Sequence, residues 1–188
     1  MAQGPLIIVS GPSGSGKSTV IGRVLRRGGL PLRLAVSATT RPRRRGEVEG
    51  VHYYFWAREH FEEQVRAGAF LEWAEVHGYC YGTLRSEVDD YRARGVGVIL
   101  DIDVQGARQI RRQYPGALSV FLCTSGPEVY ERRLRRRGTE DEAAIARRLE
   151  TARRELEHQG EYDHVILNDD LEVAVARLRD LIAAKFND

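Results

Sequence analysis

The chain alternates short, continuous apolar runs with longer segments whose apolar residues recur every three or four positions. The continuous runs predict buried strands at 6–10, 96–102, 117–123 and in the segment HVILN around residue 165. The periodic segments predict helices, one beginning near residue 17 with Val20, Ile21, Val24 and Leu25 on one face, and one over 171–186. Continuous apolar strands that alternate with helices indicate an α/β fold with a central, mostly parallel sheet covered by helices on both faces.

Two segments interrupt this alternation. Residues 37–84 are rich in Arg, Gly, Tyr and Glu and break into short pieces, which predicts a small inserted subdomain. Residues 126–160 form a highly charged helical stretch interrupted at Gly138. Such a stretch is typical either of a solvated helical hairpin held by i,i+4 ion pairs or of a mobile lid. We predict one domain over 1–188, with its core formed by 1–36, 85–125 and 161–188.

The length, the cysteine count and the net charge of the chain argue against several classes of protein. A chain of 188 residues is long enough for one domain with its own core and without disulfides, and Cys80 and Cys123 are too few and too far apart for a zinc site. No apolar run approaches the roughly 20 residues of a membrane span. The net charge of +2 argues against a dedicated nucleic-acid binder. We therefore expect a cytoplasmic protein with no membrane, nucleic-acid or obligate protein partner.

A glycine-rich loop follows the first predicted strand in the segment VSGPSGSGKSTV. Its spacing and its position between a strand and a helix match the P-loop, whose backbone N–H groups cradle nucleotide phosphates. Lys17 is placed to reach the outer phosphates, and Ser18 is available to Mg²⁺. The predicted ATP-binding residues of this loop are Gly11, Pro12, Ser13, Gly14, Ser15, Gly16, Lys17, Ser18 and Thr19.

Two carboxylates lie at the end of the second predicted strand. Asp101 and Asp103 are two positions apart, so their side chains point to the same side, at the sheet edge where open α/β folds bind ligands. A carboxylate there commonly holds Mg²⁺ or its waters. Either residue alone could be a strand-end or helix-capping aspartate, but two on one side near a P-loop favour a functional site.

The P-loop leaves the phosphoryl acceptor open. An acceptor that is itself a phosphate monoester needs no general base, because its second pKa is about 6 and it is largely dianionic at neutral pH. The obstacle is then repulsion between two anions, which arginines on both sides would relieve. The segments TTRPRRRGE and ERRLRRRG supply them, and Lys17 and Lys185 are the only lysines among 29 basic residues.

Three further segments indicate the phosphoryl acceptor, because they resemble the motifs of a known family. SATTRPRRRGEVEGVHYYF, FLEWAEVHGYCYGT and ILDIDVQG resemble the nucleotide-binding signature of the guanylate kinase family, and the resemblance covers essentially the whole chain. It implies a P-loop nucleoside-monophosphate kinase fold with a GMP-binding insertion over 37–84 and a lid over 126–160. It also implies an enzyme that uses ATP with Mg²⁺ and converts GMP to GDP.

The resemblance assigns roles residue by residue. It implies that GMP is bound by Ser37, Arg41, Arg44, Tyr53, Glu72, Tyr81, Thr83 and Asp103. It implies that ATP is also bound by Arg133 and Asn168, that Asp101 joins Ser18 on the magnesium side, and that the catalytic residues are Lys17, Arg41, Arg137 and Arg148. A carboxylate such as Glu72 accepts hydrogen bonds from guanine N1–H and N2–H₂, whereas adenine presents the opposite pattern.

The sequence departs from the family pattern in two places. Proline comes one position early, at Pro42, so that Arg43, Arg44 and Arg45 are consecutive and any of them could meet the GMP phosphate. In GYCYG, Tyr79 and Cys80 replace the usual residues, while Tyr81 stays in register. Two other functions remain open: an inactive family-like module that binds phosphoproteins, and a kinase of another nucleotide or a sugar phosphate. The complete P-loop argues against the first.

Overall fold

The computed structural model describes residues 3–136 and 142–187, and the chain forms two sheets within them. The larger sheet has five parallel strands: β1 (Leu6–Ser10), β2 (Leu32–Leu34), β7 (Gly97–Asp101), β8 (Leu118–Cys123) and β9 (His164–Leu167). Their order is β2-β7-β1-β8-β9. Every residue of β1 and β8 is buried, which explains why these strands are continuous apolar runs.

Helices cover both faces of this sheet. The helices that pack on it are α1 (Lys17–Arg27), α3 (Asp89–Ala93), α4 (Val104–Gln113) and α7 (Leu171–Lys185). Two more helices, α5 (Pro127–Arg136) and α6 (Glu142–Leu156), pack against each other and contact the P-loop. The apolar faces of α1 and α7 pack on one face of the sheet, and α4 packs on the other with Ala107 and Ile110. The sheet is therefore the middle layer of a three-layer core, and its strand ends form a common edge.

The second sheet is built from residues between 37 and 84. Its strands are β3 (Ser37–Thr39), β4 (Tyr54–Phe55), β5 (Phe70–Val76) and β6 (Tyr79–Leu84), in the order β4-β3-β6-β5. The helix α2 (Arg58–Arg66) closes a separate small core in which the rings of Phe61 and Phe70 stack with centroids 4.5 Å apart. This sheet faces the P-loop across a cleft.

Side-chain amides join β5, at the edge of the second sheet, to α4. Gln109 accepts a hydrogen bond from the Trp73 backbone N–H (3.3 Å) and donates one to the Trp73 carbonyl (2.7 Å). Gln113 donates to the carbonyl of Leu71 at 2.9 Å. These contacts flank Glu72 on both sides and fix it relative to the start of α4.

The observed elements differ from the predicted ones mainly at their ends. The second strand is one residue shorter at each end than predicted, the third begins one residue later, and the last helix ends at Lys185 rather than 186. The pattern missed β2, because three half-buried residues are too short to show a period, and it missed the five-residue helix α3. Within the described residues, no helix is long and apolar enough to cross a membrane.

Candidate functional site

The loop between β1 and α1 has the backbone geometry of an anion cradle. Gly11, Gly14 and Gly16 have φ angles of 136°, 90° and 93°, a region that favours glycine. A Cβ on Gly11 would also lie 2.1 Å from the Leu122 carbonyl oxygen, so the loop passes too close to β8 for any side chain. The Nζ of Lys17 donates to the Gly11 carbonyl at 2.7 Å and thereby lies folded over the loop.

Ser18 and Asp101 meet directly beneath this loop. The Ser18 hydroxyl donates to Asp101 Oδ2 at 3.1 Å, although the two residues are far apart in sequence. A hydroxyl and a carboxylate oxygen are hard ligands of the kind that Mg²⁺ prefers, directly or through water. The donor set therefore fits a magnesium ion at the phosphate end of the cleft.

Two acids, the buried Glu72 and the half-buried Asp103, lie together at the other end. Glu72 is only 4% exposed, and its Oε1 accepts a hydrogen bond from the Thr83 hydroxyl at 2.6 Å. Asp103 caps α4 by accepting from the Gly106 N–H at 2.8 Å. Burial raises the pKa of Glu72 to about 7, the Thr83 hydrogen bond opposes this rise, and the charge of Asp103 adds to it. Burial also raises the pKa of Asp103.

Gly106 makes the close approach of these acids possible. A Cβ there would lie 2.3 Å from Glu72 Oε2 and 3.4 Å from Asp103 Oδ1. Only a residue without a side chain lets the first turn of α4 touch the Glu72 carboxylate. Thr83 lies behind Glu72, fully buried, and contacts the carboxylate rather than lining the cleft. The carboxylates of Glu72 and Asp103 are thus held close together at this end of the cleft.

A cationic and aromatic wall lies between the acids and the loop. Arg41 is 8% exposed and forms a fork with Glu47, with distances of 2.7 Å to Oε1 and 3.1 Å to Oε2. Its guanidinium carbon lies 5.5 Å from the ring centre of Tyr53, and that ring packs edge-on against Tyr81 at 6.0 Å. Glu47 also accepts from the backbone N–H of Arg44 at 2.7 Å, so the carboxylate organises the whole turn.

Arg133 and Asn168 lie on the outer side of the P-loop. Arg133 donates to the carbonyls of Ser15 (3.1 Å) and Asn168 (2.8 Å), and the Asn168 amide donates to the Ser15 carbonyl at 2.7 Å. These contacts tie α5, the loop after β9 and the P-loop into one unit. They hold the loop in shape on the side away from the two acids.

The helix α6 brings a third wall over the cleft. Arg148 donates to the hydroxyl of Ser13 at 3.2 Å, so this helix touches the P-loop directly. Thr151 and Glu155 follow on the same face of α6 and also line the cleft. Arg137, predicted as a catalytic residue, lies outside the described residues.

These walls enclose one cleft of about 460 Å³. Thirteen of the predicted site residues line it: Gly11, Ser13, Lys17, Ser18, Ser37, Arg41, Arg44, Tyr53, Glu72, Tyr81, Asp101, Asp103 and Arg148. The predicted residues Pro12, Gly14, Ser15, Gly16, Thr19, Thr83, Arg133 and Asn168 lie beside or behind its walls. Arg44 lines the cleft, and among residues 43–45 it is the one that does so.

Several residues of the site were not predicted, and three of them contact predicted site residues or bring a further charge to the cleft. Glu47 is the ion-pair partner of Arg41, Gly106 admits Glu72, and Glu155 enters from α6. The sequence contained a signal for the first two residues. Glu47 follows Arg41 by six positions, and Gly106 lies in the first turn of a helix. Glu155 had no such signal, because charged residues occur on all sides of α6.

The fold and the cleft define a class of proteins: P-loop kinases in which a second sheet faces the loop across a cleft. The sequence model of the guanylate kinase family matches residues 3–185. A guanylate kinase from Synechococcus sp. (strain CC9311) is 50% identical over 91% of this chain and 90% of its own, and one from Symbiobacterium thermophilum is 50% identical over 97% and 86%.

A solved structure agrees with these sequence relatives. The crystal structure of guanylate kinase from Anaplasma phagocytophilum superposes with a TM-score of 0.84 at 32% identity, and the match covers all of this chain and 88% of that one. The chain therefore belongs to the guanylate kinase family, a family of phosphotransferases, as the motifs predicted. The predicted α/β fold with a central parallel sheet is also confirmed.

Proposed function

We propose that the protein transfers the γ-phosphoryl group of ATP to GMP and releases ADP and GDP. The observation that carries this proposal is the pair of acids, the buried Glu72 and the half-buried Asp103, in the same cleft as Lys17 and the P-loop. A base that donates hydrogen bonds would bind at the acids, and a triphosphate would bind at the loop. An acceptor phosphate attached to that base would then face the γ-phosphoryl group.

The acids select guanine over the other bases. Guanine N1–H and N2–H₂ are donors, and Glu72 and Asp103 are acceptors when ionised. The Ser37 hydroxyl, which lines the cleft in the same part of the second sheet, is able to donate to guanine O6. Adenine offers an acceptor where guanine offers N1–H, so that it would leave a buried carboxylate unpaired.

The acceptor phosphate binds at the cationic and aromatic wall. Arg41 and Arg44 supply positive charge, and the hydroxyls of Tyr53 and Tyr81 supply further donors. Arg41 is already held in a fork by Glu47, so it presents its remaining N–H groups in a fixed orientation. No general base is required, because the phosphate monoester is already dianionic at neutral pH.

The donor side neutralises the charge of the transferred group. Backbone N–H groups of the loop and Lys17 bind the β- and γ-phosphates, and Arg148 approaches them from α6. The family resemblance assigns Arg137 to the same charge-neutralising role. Ser18 and Asp101 would hold Mg²⁺, which neutralises phosphate charge when bound. Arg133 and Asn168 support the loop on the adenine side.

The domain division follows from these roles. The insertion over 37–84 binds GMP, the lid over 126–160 covers ATP, and the remaining core holds the P-loop. Closure of both over the core would bring the acceptor oxygen in line with the γ-phosphorus and exclude water, which would otherwise hydrolyse ATP. The reaction needs ATP, GMP and Mg²⁺, and we place it in the cytoplasm without an obligate protein partner.

A coupled assay of ADP release tests the proposal. Purified protein with Mg-ATP should turn over GMP at least about a hundred-fold more efficiently than AMP, CMP or UMP, since an unpaired buried acceptor is a strong penalty. Comparable kcat/KM for GMP and AMP, or no turnover of GMP, would overturn the proposal.

A variant pair ties this selectivity to the acids. Glu72→Gln should raise the KM for GMP about ten-fold or more and leave the KM for ATP nearly unchanged. Glu75→Gln is the matched control, because Glu75 lies on the same strand but is exposed and paired with Arg58. An unchanged KM for GMP in Glu72→Gln would remove this residue from the base site.

A further inference from the structure

Glu155 is an acid of the cleft that the proposed reaction does not yet use. It lies on α6 seven residues after Arg148 and four after Thr151, so all three share one face of the helix. All three line the cleft. Because Arg148 touches Ser13 of the P-loop, that face of α6 is turned towards the nucleotide sites.

Two charged residues place Glu155 along the cleft. Its carboxylate interacts with the positive charge of Lys17, at the phosphoryl end, and with the negative charge of Asp103, at the base end. Burial, the largest effect, and the charge of Asp103 raise its pKa to about 7, while Lys17 opposes the rise. Glu155 thus lies between the two ends of the cleft.

The carboxylate also has unused hydrogen-bonding capacity. Within residues 3–136 and 142–187, no donor is recorded at hydrogen-bonding distance from it. A half-buried carboxylate without a donor has lost part of its contact with water, and a ligand that supplies donors relieves this cost. A ligand bound in the cleft is placed to supply such donors, because Glu155 lines the cleft.

The group that a nucleoside monophosphate places between its base and its phosphate is the ribose. A ribose offers two neighbouring hydroxyls, and a carboxylate is a common acceptor for such a pair. We infer that Glu155 accepts hydrogen bonds from the ribose hydroxyls of the acceptor nucleotide and so favours ribonucleotides over deoxyribonucleotides. This inference rests on the proposed function, since it assumes that the acceptor is GMP.

The test compares GMP with 2′-deoxy-GMP and 3′-deoxy-GMP as acceptors for Mg-ATP. The proteins are the parent, Glu155→Ala, Glu155→Gln and the control Glu157→Gln, which changes an exposed acid two positions further on. Affinity for the three nucleotides, measured by calorimetry without ATP, adds a readout that does not depend on turnover. Thermal unfolding and the KM for ATP verify that each variant is folded and has an intact donor site.

In the parent and in Glu157→Gln, at least one deoxy analogue should have a kcat/KM about ten-fold or more below that of GMP, as for a hydrogen bond to a charged acceptor. In Glu155→Ala the two values should become equal, because GMP loses the contact and the deoxy analogue has none to lose. Glu155→Gln should lie between the two, since its amide oxygen still accepts.

The inference is overturned if the parent does not distinguish the three acceptors, or if Glu155→Ala keeps the preference of the parent. It is also overturned if Glu155→Ala lowers kcat/KM equally for all three acceptors, because Glu155 then acts on the lid and not on the ribose. Failure of the parent to use GMP would instead refute the proposed function, so the two failures are distinct.

Discussion

Replacing Glu72 with Gln should stabilise the nucleotide-free protein at alkaline pH. The side chain is 4% exposed, and ionisation of its carboxylate is disfavoured by burial and by the charge of Asp103. Gln keeps the oxygen that accepts the Thr83 hydroxyl at 2.6 Å and offers its amide N–H₂ to the neighbouring Asp103. The substitution therefore removes the cost of a buried charge without leaving a new unsatisfied group.

The size of the effect follows from the pKa of Glu72, which rises from 4.5 to about 7 on folding. Since a tenfold change in proton affinity is worth about 1.4 kcal/mol, the ionised carboxylate destabilises the folded state by about 3 kcal/mol. The folded chain binds more protons than the unfolded chain between these two pH values, so stability from this group falls as pH rises through that window. The amide introduced by Glu72→Gln does not titrate, so the variant should escape this loss.

The assay is chemical and thermal unfolding without nucleotide, from pH 4.5 to 8.5, for the parent, Glu72→Gln and Glu75→Gln. At pH 8 the free energy of unfolding of Glu72→Gln should exceed that of the parent by about 3 kcal/mol, which for a chain of this length raises Tm by about 6–12 °C. At pH 4.5 the difference should fall below about 1 kcal/mol. A difference that does not vary with pH, or a variant less stable than the parent at pH 8, would refute the reasoning.

Three further outcomes follow from the same site. Lys17→Ala should lower kcat for GMP phosphorylation by about 10²-fold or more, as for loss of a transition-state cation, with far-UV circular dichroism unchanged; a near-normal kcat would exclude Lys17 from the reaction. Gly106→Ala should raise the KM for GMP about ten-fold, because its Cβ would displace the Glu72 carboxylate oxygen that lies 2.3 Å away. The control Gly116→Ala should leave the KM unchanged, because the space around Gly116 is open. Equal effects of the two substitutions would show that crowding at Glu72 is unimportant. The KM for GMP should fall between pH 6 and 8 as Glu72 becomes ionised, and this fall should be smaller in Glu72→Gln, where the phosphate of GMP and Glu155 still titrate; identical profiles would contradict the role of the Glu72 carboxylate.

The parts of the site that were predicted from sequence depend on local geometry. The P-loop is a continuous segment whose glycines have positive φ angles, and Asp101 is the last residue of a buried strand whose end lies at the ligand edge of the sheet. Glu72 is different, because nothing in its strand indicates that α4 will bury it. Its role came from the family resemblance, and Gly106 supplies the physical reason.

Other features depend on contacts that a hydrophobic pattern does not contain. The apolar run of β9 predicted a buried strand, yet Val165 and Leu167 are about half exposed, because β9 lies at the edge of its sheet. Glu155 lies on a helix with charges on every side, so its spacing alone could not show which face meets the cleft. The exposure of β9 thus depends on its position in the sheet, and the contact of Glu155 with the cleft depends on how α6 packs.

The amide contacts between α4 and β5 have a consequence beyond positioning Glu72. An outer strand with free backbone N–H and C=O groups is a template on which another chain can pair and aggregate. Here Gln109 occupies both backbone groups of Trp73, and Gln113 occupies the carbonyl of Leu71. The middle of β5 is thus closed to intermolecular pairing by two side chains of a helix, even though the exposed indole of Trp73 makes this edge apolar. The helix that contacts Glu72 through Gly106 therefore also shields this edge of the second sheet from pairing with another chain.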